Sequence, residues 1–394
     1  MKLFDLPQNF VDDLVAIRRD IHANPELGYL ETRTSALVAE RLRAYGVDEV
    51  HTGIAKTGLV GVIRGKRSGG TIGMRADMDA LPMQEKNTFF HASKQAKVMH
   101  ACGHDGHTTM LLGAARYLAE TRNFAGTVHV IFQPAEEGGA GGDLMVKEGL
   151  FDRFDCERIF AVHNRPDLAL GKWGTRAGAF MASADRFTIE VTGKGGHAAR
   201  PHLICDPMVV AANIMLAVQT IVSRNVSPLE TAVVGISAIE GGDLPAFNVV
   251  PDTVKMTGTV RTYDPAVRDL IEARLAEMVQ GICAAHRAVG TLKYARLYPT
   301  VINTAAEVEF ARQAAAEVWG EANADANYTP SMGGEDFSFM LQKRPGCYSV
   351  IGQGPALLSD GMVPLHNTRY DFCDEIIPNG VRYFSRLAER GLPL

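Results

Sequence analysis

The chain has 394 residues, more than one hydrophobic core usually supports, so its length predicts two domains. With 46% hydrophobic and 22% charged residues it is typical of a globular protein, and a formal net charge of -5 without a basic stripe argues against nucleic acid and for a small-molecule partner. The N-terminus shows no export signal, and the most apolar stretch, at 207–222, is interrupted by polar residues, so we expect a cytoplasmic protein without a membrane partner. The six cysteines are scattered along the chain, which predicts reduced thiols.

The first half of the chain alternates helical and strand patterns. Apolar residues at helical spacing predict helices, and short apolar runs rich in β-branched residues predict buried strands. The predicted elements are a helix over 31–46, strands over 59–65 and 71–77, a helix over 108–120, and strands over 126–133 and 158–164. This alternation indicates a mainly parallel sheet covered by helices.

A different pattern begins near residue 184, where RFTIEVTG alternates apolar and polar side chains as a strand with one wet face does. The predicted elements are a strand over 186–193, a helix over 206–224, strands over 231–239 and 253–262, a helix over 265–288 and a strand over 291–298. This βαββαβ order predicts a small ferredoxin-like domain over 184–299, inserted into an α/β domain formed by 1–183 and 300–394. A helix over 308–320 and a strand over 347–352 resume the α/β pattern.

Several metal-capable side chains follow the predicted strands of the α/β domain. In a parallel sheet, ligands bind beyond the carboxyl ends of the strands, so these side chains are expected at one edge. They are Asp77, Asp79, Cys102, His104, Glu136, Glu137, His163 and His366. Taken singly, each is more often a cap, a turn residue or a hydrogen-bonded structural residue. Their conjunction is the mixed nitrogen, oxygen and sulfur set that zinc and similar ions accept.

The number of candidate ligands exceeds what one tetrahedral ion uses. The set therefore predicts two divalent metal ions sharing a water molecule, with one of the adjacent glutamates left for proton transfer. Zinc or manganese fits best, and cobalt or nickel also suits these ligands. Cys102 precedes a helix whose N-terminus favours the thiolate. His100 and His107 are equally compatible with supporting and structural roles.

Three polar residues stand out in the predicted small domain. His197 lies in the glycine-rich GKGGHAARPH, where an exposed turn histidine is the simpler interpretation. Asn248 and Arg261 have side chains that bind a substrate carboxylate in other contexts, although each alone is more often a capping or salt-bridge residue.

Motifs along nearly the whole chain resemble the dimetal aminoacylase and carboxypeptidase superfamily, specifically its amidohydrolase branch. They are RRDIHANPELGYLE, MRADMDALPM, MHACGHDGHTTMLLGAA, GTVHVIFQPAEEGGAGG, AVHNRP, GKGGHAARPH, AFNVVPD, TVRTYDP, MGGEDFSFM and LHN. That branch contains hippurate hydrolases, N-acyl-amino-acid amidohydrolases and plant auxin-conjugate hydrolases. The resemblance implies a metallopeptidase-like catalytic domain and an inserted dimerisation domain.

The resemblance also implies roles for residues that match the family motifs. Glu136 becomes the general base, and His197 reaches the active site of the neighbouring subunit in a homodimer, with higher assembly left open. Asn248 and Arg261 match contacts to the substrate carboxylate. The implied metal ligands are Cys102, His104, Glu137, His163 and His366.

One position departs from the wider superfamily. Carboxypeptidase-like relatives carry a metal histidine two residues before an aspartate, whereas this chain has Asp77 before Asp79, and neither is expected to be a ligand. The Cys102 and His104 pair takes over that role, which points away from ordinary peptidases.

The predicted activity is metal-dependent hydrolysis of the amide bond of N-acyl amino acids, such as hippurate or N-acetyl amino acids. A dipeptidase or carboxypeptidase of the same superfamily is the alternative among hydrolases, and a non-catalytic metal-binding dimer is the alternative from another class. A nucleotide-binding oxidoreductase has little support, because neither glycine-rich segment completes GxGxxG between a strand and a helix.

Overall fold

A computed structural model describes residues 4–354, 357–358 and 361–394. The helices of these residues are α1 (Gln8–Ala23), α2 (Thr32–Ala44), α3 (His104–Thr121), α4 (Glu136–Gly139), α5 (Gly141–Lys147), α6 (Leu150–Arg153), α7 (Pro207–Arg224), α8 (Pro265–Ala285), α9 (Ala305–Trp319), α10 (Ser338–Leu341) and α11 (Ile377–Gly391). The strands are β1 (Glu49–Ile54), β2 (Gly58–Arg64), β3 (Arg67–Asp77), β4 (Ala125–Gln133), β5 (Arg158–Arg165), β6 (Trp173–Gly174), β7 (Gly178–Met181), β8 (Ala184–Thr192), β9 (Gly196–His197), β10 (Ala232–Glu240), β11 (Val249–Val250), β12 (Thr253–Thr262), β13 (Val289–Tyr298), β14 (Val301–Asn303), β15 (Ala324–Asp325), β16 (Gly346–Gly352), β17 (Leu357–Leu358) and β18 (Gly361–Met362).

The chain divides into two compact units. The large unit comprises Met1–Phe180, Ile302–Pro330 and Asp336–Leu394, and the small unit comprises Met181–Val301 and Ser331–Glu335. Ser331–Glu335 lies in a part of the chain that the sequence analysis assigned to the α/β domain. Within the small unit, Ala182 N–H donates to the Ser331 carbonyl, and Met181 forms a parallel bridge with Ser331.

The large unit is built on an eight-stranded mixed sheet of order β1-β2-β4-β3-β5-β16-β6-β15. The central strands β4, β3, β5 and β16 pair in parallel, and β1, β2 and β6 add antiparallel pairings towards the two edges. All seven residues of β16 are buried, as expected for a strand covered on both faces. The predicted mainly parallel α/β sheet is confirmed, and α1 and α11 are helices that the sequence analysis did not assign.

The small unit contains a four-stranded antiparallel sheet of order β10-β12-β8-β13. Its chain order, β8-α7-β10-β12-α8-β13, is the predicted βαββαβ arrangement. Proline follows the cap of both helices, and the Asp206 and Asp264 side chains accept backbone N–H groups of the first turns. These caps explain why α7 and α8 begin where the sequence predicts.

Helix α7 is, among the described residues, the one helix long and apolar enough to cross a membrane by length and composition, which the sequence analysis did not expect. Its inward stripe, including Val210, Ile214 and Val218, is fully buried in the small unit's core. Core packing therefore accounts for part of its apolar character, with 33% of the helix buried, and one such helix is weak evidence for a span because core helices share that composition.

Candidate metal centre

Three parallel strands deliver polar side chains to one edge of the large sheet. Strand β3 ends at Asp77, β4 ends just before Glu136 and Glu137, and β5 carries His163 close to its carboxyl end. Because these strands run in parallel, their carboxyl ends meet at the crevice where α/β proteins bind ligands.

Two further segments complete this edge. Helix α3 begins at His104, and the preceding Gly103 has φ +99°, a conformation in which any Cβ would lie 2.2 Å from the Asn164 side-chain oxygen. His366 reaches the same place from the distant C-terminal region, since its N–H donates to the Ala101 carbonyl at 2.7 Å. Its φ of +61° is strained for a residue with a side chain, as is common at functional sites.

The five predicted metal ligands converge. Cys102 Sγ lies 3.3 Å from His163 Nε2, and His366 Nε2 lies 3.2 Å from Glu137 Oε1. Donor atoms of Cys102, His104 and His163 lie within 4.8 Å of one another, and so do those of Cys102, Glu137 and His366. The Cys102 sulfur is therefore common to two potential three-ligand sites.

Glu136 adjoins the same cluster. Its carboxylate lies within 4.8 Å of donor atoms of His104 and Glu137. Glu136 is buried, whereas the neighbouring Glu137 is half-buried. The short segment α4 has non-helical angles at Glu137. Both carboxylates lie close to His104, and Glu137 in addition groups with Cys102 and His366.

The hydrogen bonds of the two buried histidines leave Nε2 available for a metal. His104 Nδ1 donates to the Asp79 carbonyl at 2.9 Å, and His163 Nδ1 donates to the Asn164 carbonyl at 2.7 Å. His104 Nε2 is buried without a hydrogen-bond partner among the described residues. Burying a polar atom without a hydrogen-bond partner costs free energy, and coordination to a metal ion would remove that cost. The residues present therefore fit a bound divalent metal.

Burial dominates the electrostatics of these ligands. It raises the pKa of the Cys102 thiol, with Glu137 adding to the effect, and it lowers the pKa of His163. It also lowers the pKa of His104, but Asp77 and Cys102 reverse this and leave that pKa above its ordinary value. Cys102 thus does not gain the thiolate preference expected from its helix position. A divalent cation would supply it, since metal binding displaces the thiol proton.

His107 and Asp77, which are not among the predicted metal ligands, hydrogen-bond to other residues. His107 Nδ1 lies 2.6 Å from Asp77, and its Nε2 lies 2.8 Å from the Asn164 side chain. Asp77 also accepts from Arg75 at 2.6 Å. Burial alone raises the pKa of Asp77, but Arg75, His104 and His107 outweigh burial and hold that pKa well below the ordinary range. His107 and Asp77 therefore support the cluster, although with His104 they also satisfy the distance requirement for a metal group.

His100 and Asp105 belong to the same motif, MHACGHDGHTTMLLGAA, and lie behind the cluster. Asp105 is fully buried and pairs with His22 at 2.8 Å and with Arg18 at 3.6 Å. Burial lowers the pKa of His100 to about 3, so its ring is neutral. The first turn of α3 is thereby tied to α1, which carries His22 and Arg18.

Asp79 has a role that sequence reasoning did not assign. Its two carboxylate oxygens accept the N–H groups of Glu136 and Glu137 at 3.0 and 2.9 Å, in addition to contacting His104. It therefore links a predicted ligand to the predicted base. The only sequence signal was its place after a buried strand, which a simple cap shares.

The three predicted residues of the small unit lie in two places. His197 and Asn248 are exposed on neighbouring segments, because β9 pairs with β11 and Ala198 N–H donates to the Asn248 carbonyl. Arg261 is half-buried on β12, where burial lowers its pKa and Asp185 opposes the change. We call the β9 and β11 segments, with His197 and Asn248, the loop pair.

The carboxyl edge of the sheet brings together thiol, imidazole and carboxylate groups, with one further buried carboxylate beside them. This arrangement defines a metal-dependent hydrolase. The family model "Peptidase family M20/M25/M40" matches residues 73–390, more than half of the chain. The chain belongs to this family and, within it, to the metal-dependent amidohydrolase branch.

Individual relatives are similar over nearly their full lengths. Hippurate hydrolase of Campylobacter jejuni is 42% identical over 94% of this chain and 94% of that protein. N-acetyl-L-cysteine deacetylase of Bacillus subtilis is 40% identical over 86% of this chain and 80% of that protein. Among solved structures, the YXEP protein of Bacillus subtilis, a dinuclear metal-binding peptidase from the M20 family, is 33% identical with a TM-score of 0.83, covering 98% of this chain and 99% of that one.

Proposed function

We propose that this protein hydrolyses the amide bond of N-acyl amino acids, releasing a carboxylic acid and a free amino acid. The observation that carries the proposal is the convergence of Cys102, His104, His163, Glu137 and His366 beside the buried Glu136 carboxylate. The named substrates of the similar hippurate hydrolase and N-acetyl-L-cysteine deacetylase support this substrate class.

Two divalent metal ions, held by Cys102, His104, Glu137, His163 and His366, would supply Lewis-acid activation of a water molecule and of the amide carbonyl. The dinuclear metal site of the similar YXEP protein supports two ions, and zinc or manganese suits the donor set best. The buried Cys102 sulfur belongs to both of these ligand groups, so it would be close to either ion.

Glu136 is the proposed general base. Its carboxylate takes a proton from the attacking water and returns it to the nitrogen of the leaving amino acid. The hydrogen bonds from Glu136 N–H and Glu137 N–H to Asp79 fix the backbone at this position, so the carboxylate has a defined place relative to His104.

The loop pair would complete the site of the neighbouring subunit. In this proposal His197 donates a hydrogen bond to the oxyanion of the tetrahedral intermediate, while Asn248 and Arg261 bind the substrate carboxylate. The exposure of His197 and Asn248 supports a role that a second subunit completes.

A homodimer through the small unit is supported by its exposed apolar surface. Helix α7 presents Val209 and Leu216 on its outer side, the latter 74% exposed, and strand β10 is an unpaired edge of the sheet. Apolar side chains there and an open strand edge favour association with a second copy. The cytoplasmic location stays a prediction.

The test is a product-release assay with chelated enzyme reconstituted with zinc, manganese, cobalt or nickel. The panel contains benzoylglycine, several N-acetyl amino acids and simple dipeptides. We expect metal-dependent turnover of acylated amino acids well above that of dipeptides. Preferential dipeptide cleavage would favour the peptidase alternative, and metal binding without hydrolysis of any substrate would favour a non-catalytic metal-binding dimer.

A further inference from the structure

The segment that carries Glu136 is held in a conformation that its own sequence does not favour. We call residues 134–141 the base loop. Ala135, directly before Glu136, has φ +53°, and Ala140 at the other end has φ +54°. Left-handed angles cost free energy for any residue with a side chain and persist only where neighbouring groups enforce them.

One of those groups is the buried carboxylate of Glu31. Its Oε1 accepts the Ala135 N–H at 2.8 Å, and its Oε2 accepts the Thr57 hydroxyl at 2.5 Å. Glu31 is the N-cap residue of α2, yet its side chain makes no capping hydrogen bond to that helix. The carboxylate is therefore turned away from its own helix and towards the base loop.

The position of Glu31 is costly without a compensating role. Glu31 is 0% exposed, and burial raises the pKa of its carboxyl group. The groups that donate to this carboxylate, the Thr57 hydroxyl and the Ala135 N–H, are neutral. A buried carboxylate held by neutral donors stabilises a fold poorly compared with an amide or an apolar group. Its contact with Ala135 N–H places it one residue from the proposed base.

Residues just before Glu31 in the sequence also contact the base loop. A Cβ on Gly28 would lie 2.9 Å from the Ala135 Cβ, so Gly28 permits the close approach of this segment. The Tyr29 hydroxyl donates to the Gly139 carbonyl at 2.7 Å, near the far end of the base loop. Residues 28–31 thus contact the base loop near both of its ends, at Ala135 and at Gly139.

We propose that Glu31 is a positioning residue for the hydrolytic reaction, which holds the Glu136 carboxylate in place by accepting the Ala135 N–H. The contact lies directly before the base, and of the five predicted metal ligands Glu137 alone lies in the base loop. The inference rests on the proposed function, since it needs Glu136 as the general base.

The test compares Glu31→Leu, which removes the acceptor, with Glu31→Gln, which keeps an oxygen at Ala135 N–H. For Glu31→Leu we expect kcat to fall about 10- to 100-fold, because displacement of a reacting group by about 1 Å costs up to about 10²-fold. Bound metal and KM should stay within about twofold of wild type by the same reasoning, and Glu31→Gln should recover most of kcat.

A matched control exists in Glu148, whose carboxylate accepts the N–H of Ala55 at 2.6 Å. Ala55 also has a positive φ, +49°, but it is not followed by a predicted site residue. Glu148→Leu should therefore leave kcat unchanged. If Glu31→Leu does not fold, Gly28→Ala perturbs Ala135 directly with Glu31 intact, because the added Cβ would lie 2.9 Å from the Ala135 Cβ, and it should lower kcat while metal content is kept.

Several outcomes overturn the inference. They are an unchanged kcat in Glu31→Leu or in Gly28→Ala, equal losses in Glu31→Leu and Glu31→Gln, or metal loss in parallel with kcat. Failure of the proposed function is distinct, because it appears as a wild-type enzyme without acylase activity or as a Glu136→Gln variant with normal kcat.

Discussion

The predicted site residues occupy two regions that differ in how they are held. In the metal-ligand cluster, His104 and His163 are buried, and each donates an Nδ1 hydrogen bond to a backbone carbonyl that fixes its ring. In the loop pair, His197 and Asn248 are exposed, and the one side-chain hydrogen bond of His197 is local, from Ala199 N–H at 3.2 Å.

This difference separates two kinds of functional residue. Donor atoms of the cluster converge within one chain, so removing a ligand should damage metal binding in every subunit independently. The loop pair presents its side chains to solvent, so their loss should affect turnover but neither metal binding nor folding. The following variants test this contrast.

His104→Ala should have the largest effect. Losing a buried ligand removes metal and Lewis-acid activation together, and an effect of several kcal/mol corresponds to a fall in kcat of about 10³-fold or more. Metal content by elemental analysis and kcat should fall in parallel. His51→Ala, at a half-buried histidine bonded to Glu49, is the control. A His104→Ala enzyme with full metal content would remove His104 from the ligand set.

Glu136→Gln should separate chemistry from metal binding within the same cluster. The amide keeps the shape but cannot take the proton, so kcat should fall about 10²- to 10⁴-fold while metal content and KM change little. The exposed Glu120→Gln is a matched control on α3. Near-normal kcat in Glu136→Gln would contradict the assignment of the base.

His197→Ala should lower kcat by about 10²- to 10³-fold, the loss of one oxyanion donor, without loss of metal. His202→Ala, at an exposed histidine in the same segment, is the control. If the histidine acts in the neighbouring subunit, mixing His197→Ala with Glu136→Gln creates dimers with one intact site. Random exchange then restores about a quarter of wild-type activity. No recovery after verified subunit exchange would place His197 outside the neighbour's reaction.

Sequence reasoning located the metal-ligand cluster better than its support. Short motifs with recognisable chemistry revealed the ligands, because parallel strands share one carboxyl edge and Glu137 and His163 follow predicted strands, while Cys102 and His104 directly precede a predicted helix. Glu31 and Asp79 could not be assigned, because their partners are backbone N–H groups of residues 135–137, far away in the chain. Backbone groups leave no residue-type signal in a sequence.

Two further features of the protein also differ from the sequence-based predictions, each for its own physical reason. Ser331–Glu335 joins the small unit through a backbone contact to Ala182, which no local pattern reveals. Burial reversed the expected thiolate preference of Cys102, since a helix position can be read from sequence but the depth of its surroundings cannot.

The charges behind the cluster are predicted to affect stability and not turnover. His22 is fully buried between Asp105 and Glu85, and although burial alone lowers its pKa, these carboxylates raise it to about 9. The folded-state pKa lies above the unfolded value of about 6.5, so this stabilisation is complete below pH 6.5 and is lost as pH rises through 9. At about 1.4 kcal/mol per pKa unit it amounts to roughly 3 kcal/mol. Urea denaturation between pH 6 and 10 should show the free energy of unfolding declining over that window in wild type and declining less in His22→Gln. Equal slopes in the two proteins would mean that His22 is neutral in the folded protein and does not form a charged pair with Asp105 and Glu85.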